Sequence, residues 1–353
     1  MATAPKMLAK LLLLAVLLHA TTASLGDMDV KYRNRLIKCI DLRLGVPPTA
    51  LSLRLTCWDA DADCRYQSMH ATVLERRADA SMHFEVETAD EGRVLADGPV
   101  LQYYGKWPFE RVLGIQEVAS VAFSGANLWQ HVVGMRRVRA RCAASASRRL
   151  YLSNGLIACN AWFWSAVFHT RDVWWTEALD YHGASSVTSF TTFIAVTRVL
   201  ELGGGGKLAL ALPFALGYGY HVWRCTAIAH GGGADVPQFD YGYNMQANLL
   251  LSAVHALVWI AWLCYPLVRE TRPRAGWEKL TLFLMRIAMF LLLEVLDFPP
   301  IAGLLDAHAL WHLATAFLVP IWYAFVVEDV NAQAEKWPRR LRPRKTAAAV
   351  KDA

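Results

Sequence analysis

From residue 114 onward the chain is a succession of apolar runs, each roughly twenty residues long, divided by short polar breaks. The runs fall at 114–135, 150–169, 183–201, 207–229, 245–268, 278–297 and 308–327. Each is about long enough to cross a bilayer core as a helix that satisfies its own backbone hydrogen bonds. The fold this predicts is an all-α membrane protein with about seven transmembrane helices in one bundle. Composition agrees, since 55% of the residues are hydrophobic and 14 are tryptophan, more than a soluble domain of this length carries. The net charge of +6 is spread over short clusters between the runs. A nucleic-acid-binding protein would gather it on one folded surface, so no nucleic-acid partner is expected.

Residues 1–24 read as a secretory signal peptide. Lys6 and Lys10 precede the apolar run Leu11–Leu18, and small residues follow up to Ser24, which is the order such signals require. Residues 25–105 then form a small lumenal head, charged and without a long apolar run. It holds Cys39, Cys57 and Cys64, enough for one disulfide in an oxidising compartment with one thiol left over. The spacing leaves the pairing open. No Asn-x-Ser/Thr acceptor occurs in the chain.

Loop charge orients the runs. Arg136, Arg137, Arg139, Arg141, Arg148 and Arg149 follow the first run with no acid among them. Basic residues also follow the fifth run, and Arg339, Arg340, Arg342, Arg344 and Lys345 follow the seventh. The remaining connections are acidic or mixed. Arginine-rich loops stay cytosolic, so the membrane domain, residues 106–330, would place the acidic loops in the lumen and residues 331–353 as a basic cytosolic tail. A lumenal head and a cytosolic tail require an odd number of spans, as counted.

Three histidines gather at the expected lumenal face. His308 and His312 stand four apart at the start of the seventh run, so both imidazoles share one helical face. Ionisable groups at that depth are costly and face a bundle interior or cavity. Two histidines at this spacing are half of a zinc site. His169, at the lumenal end of the second run, supplies the third ligand. Ser165 precedes His169 by one helical turn, and Asp180 is expected just past a short loop, at the start of the third run. Three neutral imidazoles with an open position suit one zinc ion that activates water. Asp180 would serve as base and Ser165 as partner of the oxyanion. That chemistry is hydrolysis of an ester or amide presented from lipid. His131, His182, His221, His230 and His255 lack such a spacing and are read as non-ligands.

A resemblance rests on the strings Gln102-Tyr-Tyr-Gly-Lys-Trp-Pro-Phe-Glu-Arg111 with Gln116-Glu117, and Asn160-Ala-Trp-Phe-Trp-Ser-Ala-Val-Phe-His-Thr-Arg-Asp172. It rests equally on Thr176-Glu-Ala-Leu-Asp-Tyr181, Phe239-Asp-Tyr-Gly-Tyr-Asn244, Leu296-Asp-Phe-Pro-Pro300 and Leu305-Asp-Ala-His-Ala-Leu-Trp-His312. In this order, over residues 102 to 330, the chain resembles the post-GPI-attachment to proteins factor 3 family, GPI being glycosylphosphatidylinositol. The resemblance implies a seven-span protein of the Golgi or endoplasmic reticulum membrane that removes the sn-2 acyl chain from the inositol phospholipid of GPI-anchored proteins. Those proteins, their lipid and the surrounding membrane lipids would be its partners. The wider superfamily includes alkaline ceramidases and the progestin and adiponectin receptors. Its pattern implies the same roles for Ser165, His169, Asp180, His308 and His312.

The head departs from the family, with Ala60 and Ser68 where cysteines are expected, an added Cys57 and a charged stretch at about 76–98. Two other readings use the same residues. One is an intramembrane hydrolase of another lipid, such as ceramide, against which the Gln102–Arg111 and Phe239–Asn244 motifs argue. The other is a lipid receptor or scaffold whose metal is structural.

Overall fold

The computed structural model describes residues 24–78, 84–88, 92–96, 100–227, 239–268 and 274–340. The expected signal peptide, residue 24 apart, and the end of the expected tail lie outside these residues, as does His230.

The N-terminal part is helical apart from one hairpin. A short 3-10 turn, Leu25–Met28, leads into α1, Val30–Arg43. Asp29 caps α1 by accepting the Tyr32 N–H, which satisfies one of the donors a helix start leaves open. A five-residue α2, Leu51–Leu55, and the longer α3, Ala60–Ala78, follow. Strands β1, Phe84–Thr88, and β2, Gly92–Ala96, pair antiparallel with Val86 opposite Val94. A disulfide between Cys39 and Cys64 joins α1 to α3 and leaves Cys57 exposed as a free thiol. The pairing was open in the sequence because spacing alone does not say which helix faces turn toward each other. Buried charge reinforces the bridge: Arg76 meets Asp29 at 2.6 Å, and Asp63 takes Arg43 at 2.7 Å and Arg111 at 2.8 Å.

The long helices follow in the order of the apolar runs. They are α4, Val118–Arg141; α5, Ala146–Thr170; α6, Trp174–Val199; α7, Gly204–Ala227; and α8, Tyr241–Val268. A shorter pair, α9 (Trp277–Phe290) and α10 (Leu292–Val295), breaks the sixth run at Leu291. The last and longest, α11, covers Ala307–Arg340. Within these, Tyr241–Pro266 and Ala307–Glu335 are long and apolar enough to cross a membrane. Neighbours in sequence pack on one another from α4 to α6, while α11 closes back on α4 and α9, and α8 rests on α6.

Aromatic residues build the core at the end of the bundle away from the three histidines. Trp259, Trp262, Trp322, Tyr323 and Phe325 interlock with Val138, Tyr151 and Leu280. Helices α4, α5 and α11 approach closely there because two glycines make room. A Cβ on Gly134 would sit 2.0 Å from the Tyr323 ring, and one on Gly155 would sit 2.6 Å from its hydroxyl. Below the core, buried Asp329 accepts from Arg198 at 2.7 Å and from the Tyr151 hydroxyl at 3.0 Å. These contacts tie α5, α6 and α11 together.

One boundary differs from expectation in a way that moves a site residue. The third run begins at residue 183, but α6 begins at Trp174. Thr176 starts it early: its hydroxyl receives the Val173 N–H at 3.0 Å and donates to the Arg171 carbonyl at 2.9 Å. Asp180 therefore lies in the second turn of a helix rather than at its entrance. An apolar run marks where side chains are greasy, and a polar helical turn ahead of it leaves no trace in hydropathy.

Candidate metal centre

Two helix ends and their caps create the site. Helix α5 runs out at Thr170, where its last carbonyls need partners. The chain entering α4 supplies them, with the Gln116 N–H donating to the Thr170 carbonyl at 3.1 Å and the Glu117 N–H donating to the His169 carbonyl at 3.0 Å. Helix α11 starts at Asp306, whose carboxylate accepts the Ala309 N–H at 2.8 Å. This cap sets His308 in the first turn and His312 one turn deeper, on the same face.

The two ends bring the histidines together. The ring centroids of His308 and His312 are 4.5 Å apart, and His169 stands 5.3 Å from the first and 5.0 Å from the second. One nitrogen from each ring lies within 4.8 Å of the others, so the trio could hold a metal ion. His169 and His312 are buried, at 2% and 4% exposure.

The tautomers suit a metal. His169 Nδ1–H donates to Glu117 Oε2 at 2.7 Å, which leaves Nε2 with its lone pair, and that atom is buried without a hydrogen-bond partner. A buried nitrogen left unpaired costs free energy that ligation recovers. His312 Nδ1 is 3.0 Å from the Ser124 hydroxyl, so with its proton on Nδ1 its Nε2 is likewise the ligating atom. A carboxylate behind a ligating imidazole fixes the ring and strengthens it as a donor. Three imidazoles are a ligand set that suits zinc and other first-row ions of similar softness.

The remaining expected residues close around the trio. Ser165 is 5% exposed and lies 3.1 Å from the Ser124 hydroxyl. Asp180 interacts with Ser165 and lies near His169 and His308. Trp162 sets its ring edge-on to His312 at 5.2 Å.

Sequence reasoning missed a polar layer behind the trio. Lys106 reaches Glu117 and also pairs with Asp172 at 3.1 Å. Glu117 is buried between the Lys106 ammonium and the His169 ring, which it meets at 2.7 Å. For Lys106, burial would lower the pKa but is outweighed by Asp172 and Glu117, so its pKa rises. Ser120, Ser124 and Asn127 continue the polar face of α4 beyond Glu117, all fully buried, with the Asn127 amide donating to the His312 carbonyl at 2.7 Å. The signal was present: positions 117, 120, 124, 127 and 131 repeat at helical spacing inside an apolar run.

Comparison with known proteins agrees with these motifs. Residues 50–330 match the model of the Per1-like family. The Protein PER1 homolog of Schizosaccharomyces pombe is 34% identical over 91% of this chain and 91% of its own length. A Xenopus tropicalis protein named GPI-specific phospholipase A2-like PGAP3 is 34% identical over 90% of this chain and 94% of its own. The Drosophila melanogaster Post-GPI attachment to proteins factor 3 is 33% identical over 89% and 92%. With a family model covering most of its length and relatives matched nearly end to end, the chain belongs to the Per1-like family.

Proposed function

We propose that the protein is a metal-dependent lipid hydrolase that removes the sn-2 fatty acyl chain from the inositol phospholipid of GPI-anchored proteins. The relatives' names supply the substrate class. The observation that carries the chemistry is the buried, unpartnered Nε2 of His169 facing two further imidazoles. The residues would act in a seven-span protein of the Golgi or endoplasmic reticulum membrane. Residues 1–24 would be removed, the head of residues 25–105 and the site would face the lumen, and residues 331–353 would lie in the cytosol.

His169, His308 and His312 would hold one zinc ion, which supplies Lewis acidity toward an ester carbonyl and makes water a stronger nucleophile near neutral pH. The chain's own groups do the rest. Asp180 takes the proton of the attacking water and returns it to the departing alcohol of the lyso lipid. Ser165 donates its hydroxyl hydrogen to the carbonyl oxygen as negative charge grows there. Ser124 sits between Ser165 and His312 and orients both. Glu117 keeps the His169 ring in one orientation and is itself held by Lys106. The products are a lyso lipid and a fatty acid.

The test is positional. Purified protein given a GPI lipid with distinguishable labels on its two acyl chains is expected to release only the sn-2 label. Release from sn-1, or cleavage at the phosphate, would replace this reading with another lipase.

A further inference from the structure

A second polar cluster lies at the same end of the bundle, outside the metal centre, where α6, α7 and α8 meet. Its hub is Ser185, which is 3% exposed. The Ser185 hydroxyl lies 3.0 Å from His221 Nε2 and 2.9 Å from the Asn248 amide nitrogen, and it donates to Asn244 Oδ1 at 3.3 Å. Asn248 also donates to Asn244 Oδ1 at 2.9 Å. His182, one turn before Ser185 on α6, packs 6.4 Å from the His221 ring and 5.5 Å from Phe239. Both ring nitrogens of His182 are buried without a hydrogen-bond partner. Ionisable side chains between apolar helices are costly and mark functional sites by default, and an imidazole unpaired at both nitrogens lacks the partner that buried polar groups ordinarily have.

The route from this cluster to the metal centre is aromatic. Phe168, beside His169, lies 6.3 Å from Tyr181, and Tyr181 stacks on Phe239 at 4.9 Å. Tyr241 closes the group at 5.7 Å from Tyr181 and donates its hydroxyl to Glu177. Flat apolar faces beside small neutral donors and acceptors are the surfaces on which a polyhydroxy ring rests its C–H face while its hydroxyls are read from the side. Charge argues against an anion at the hub, because the nearby cation, Arg224, is taken by Asp240 at 2.6 Å.

We infer that His182, Ser185, His221, Asn244 and Asn248 form a headgroup subsite that binds a polyhydroxy ring, so that lipids carrying one are selected over lipids that do not. The inference rests on the hydrolase reading for its consequence in catalysis, though not for binding itself. The ring would be the inositol of the lipid or a sugar attached to it.

The experiment uses the full-length protein in nanodiscs with three lipids carrying the same labelled sn-2 chain: phosphatidylethanolamine, phosphatidylinositol and glucosaminyl-phosphatidylinositol. Equilibrium binding of their non-hydrolysable ether analogues is measured alongside acyl release. Wild type is expected to prefer a polyol lipid, and Ser185→Ala or Asn248→Ala to lower that preference about tenfold, as loss of a buried hydrogen bond does. His182→Phe keeps an aromatic ring, removes both nitrogens and is expected to show the same loss even if Ser185→Ala does not fold. Preference for phosphatidylinositol alone would assign the inositol ring, and a need for glucosamine would assign the sugar. Selective binding without any acyl release would support the subsite while removing the hydrolase reading. Acyl release with no headgroup preference, or variants that weaken all three lipids equally, would overturn the subsite and leave the hydrolase reading standing.

Discussion

Glu117 shows how a single charge is put to use. Lys106 pairs with it in a buried position, and it fixes the proton of His169 on Nδ1 so that Nε2 faces the other imidazoles. Replacing it with glutamine keeps the shape and an acceptor but removes the charge. Metal affinity is expected to fall about ten- to hundredfold with the fold retained, as read by chelator competition and circular dichroism. A second residue gives the head a dependence on pH. Burial raises the pKa of Asp27 to about 6, against the opposing pull of the Tyr104 N–H and Arg65. Its protonated form is favoured in the fold, so its contribution is complete below the ordinary carboxylate value and is lost as pH rises through about 6. Thermal unfolding is expected to show Asp27→Asn gaining on wild type as pH is raised from 5 to 7.5. At this scale the histidines were legible, because i, i+4 spacing and loop charge place them on one face. Glu117 and Lys106 were not singled out, since a carboxylate and an amine at a loop edge look like ordinary solvated charges until the fold buries them.

Helix ends set the site more than helix middles. Asp306 caps α11, and His308 stands in the turn that the cap secures. Asp306→Ala is expected to cost about 1 kcal/mol and to lower metal occupancy together with thermal stability. A variant that loses stability but keeps full occupancy would show that the first turn of α11 does not depend on its cap. The helices themselves were legible from apolar runs, and their order in the structure follows them. Their starts were less so: Thr176 opens α6 before the apolar run and carries Asp180 onto the helix, close to Ser165. The buried face of α4, from Glu117 through Asn127, was written at helical spacing, but a polar residue in an apolar run reads first as a weakness of the span.

The whole molecule joins its disulfide-linked N-terminal helices to the long helices through Arg111, which lies over the Trp58 and Tyr66 rings at 4.3 and 4.0 Å while pairing with Asp63. The Trp58 indole also donates to the Gly114 carbonyl at 2.8 Å. These contacts hold the segment from Gln102 to Glu117, and with it Lys106, against the site. The head's arrangement could not be read from three cysteines, since connectivity depends on how α1 and α3 pack. Orientation across the membrane has its own test. In sealed microsomes, exposed Cys57 is expected to resist a membrane-impermeant maleimide until detergent is added, judged against Cys57→Ser, while a tag after Ala353 stays open to protease. Labelling of Cys57 without detergent would reverse the topology.

Lipid hydrolysis is proposed to depend on a metal held by three imidazoles. The measurement that meets this dependence most directly takes purified wild type beside His312→Ala and records bound metal by elemental analysis and fatty acid released from a diacyl GPI lipid. Wild type is expected to hold about one equivalent of zinc, as a single three-imidazole site would, and to release acyl chain, both lost in the variant. Full release by a folded, metal-free protein would contradict that dependence.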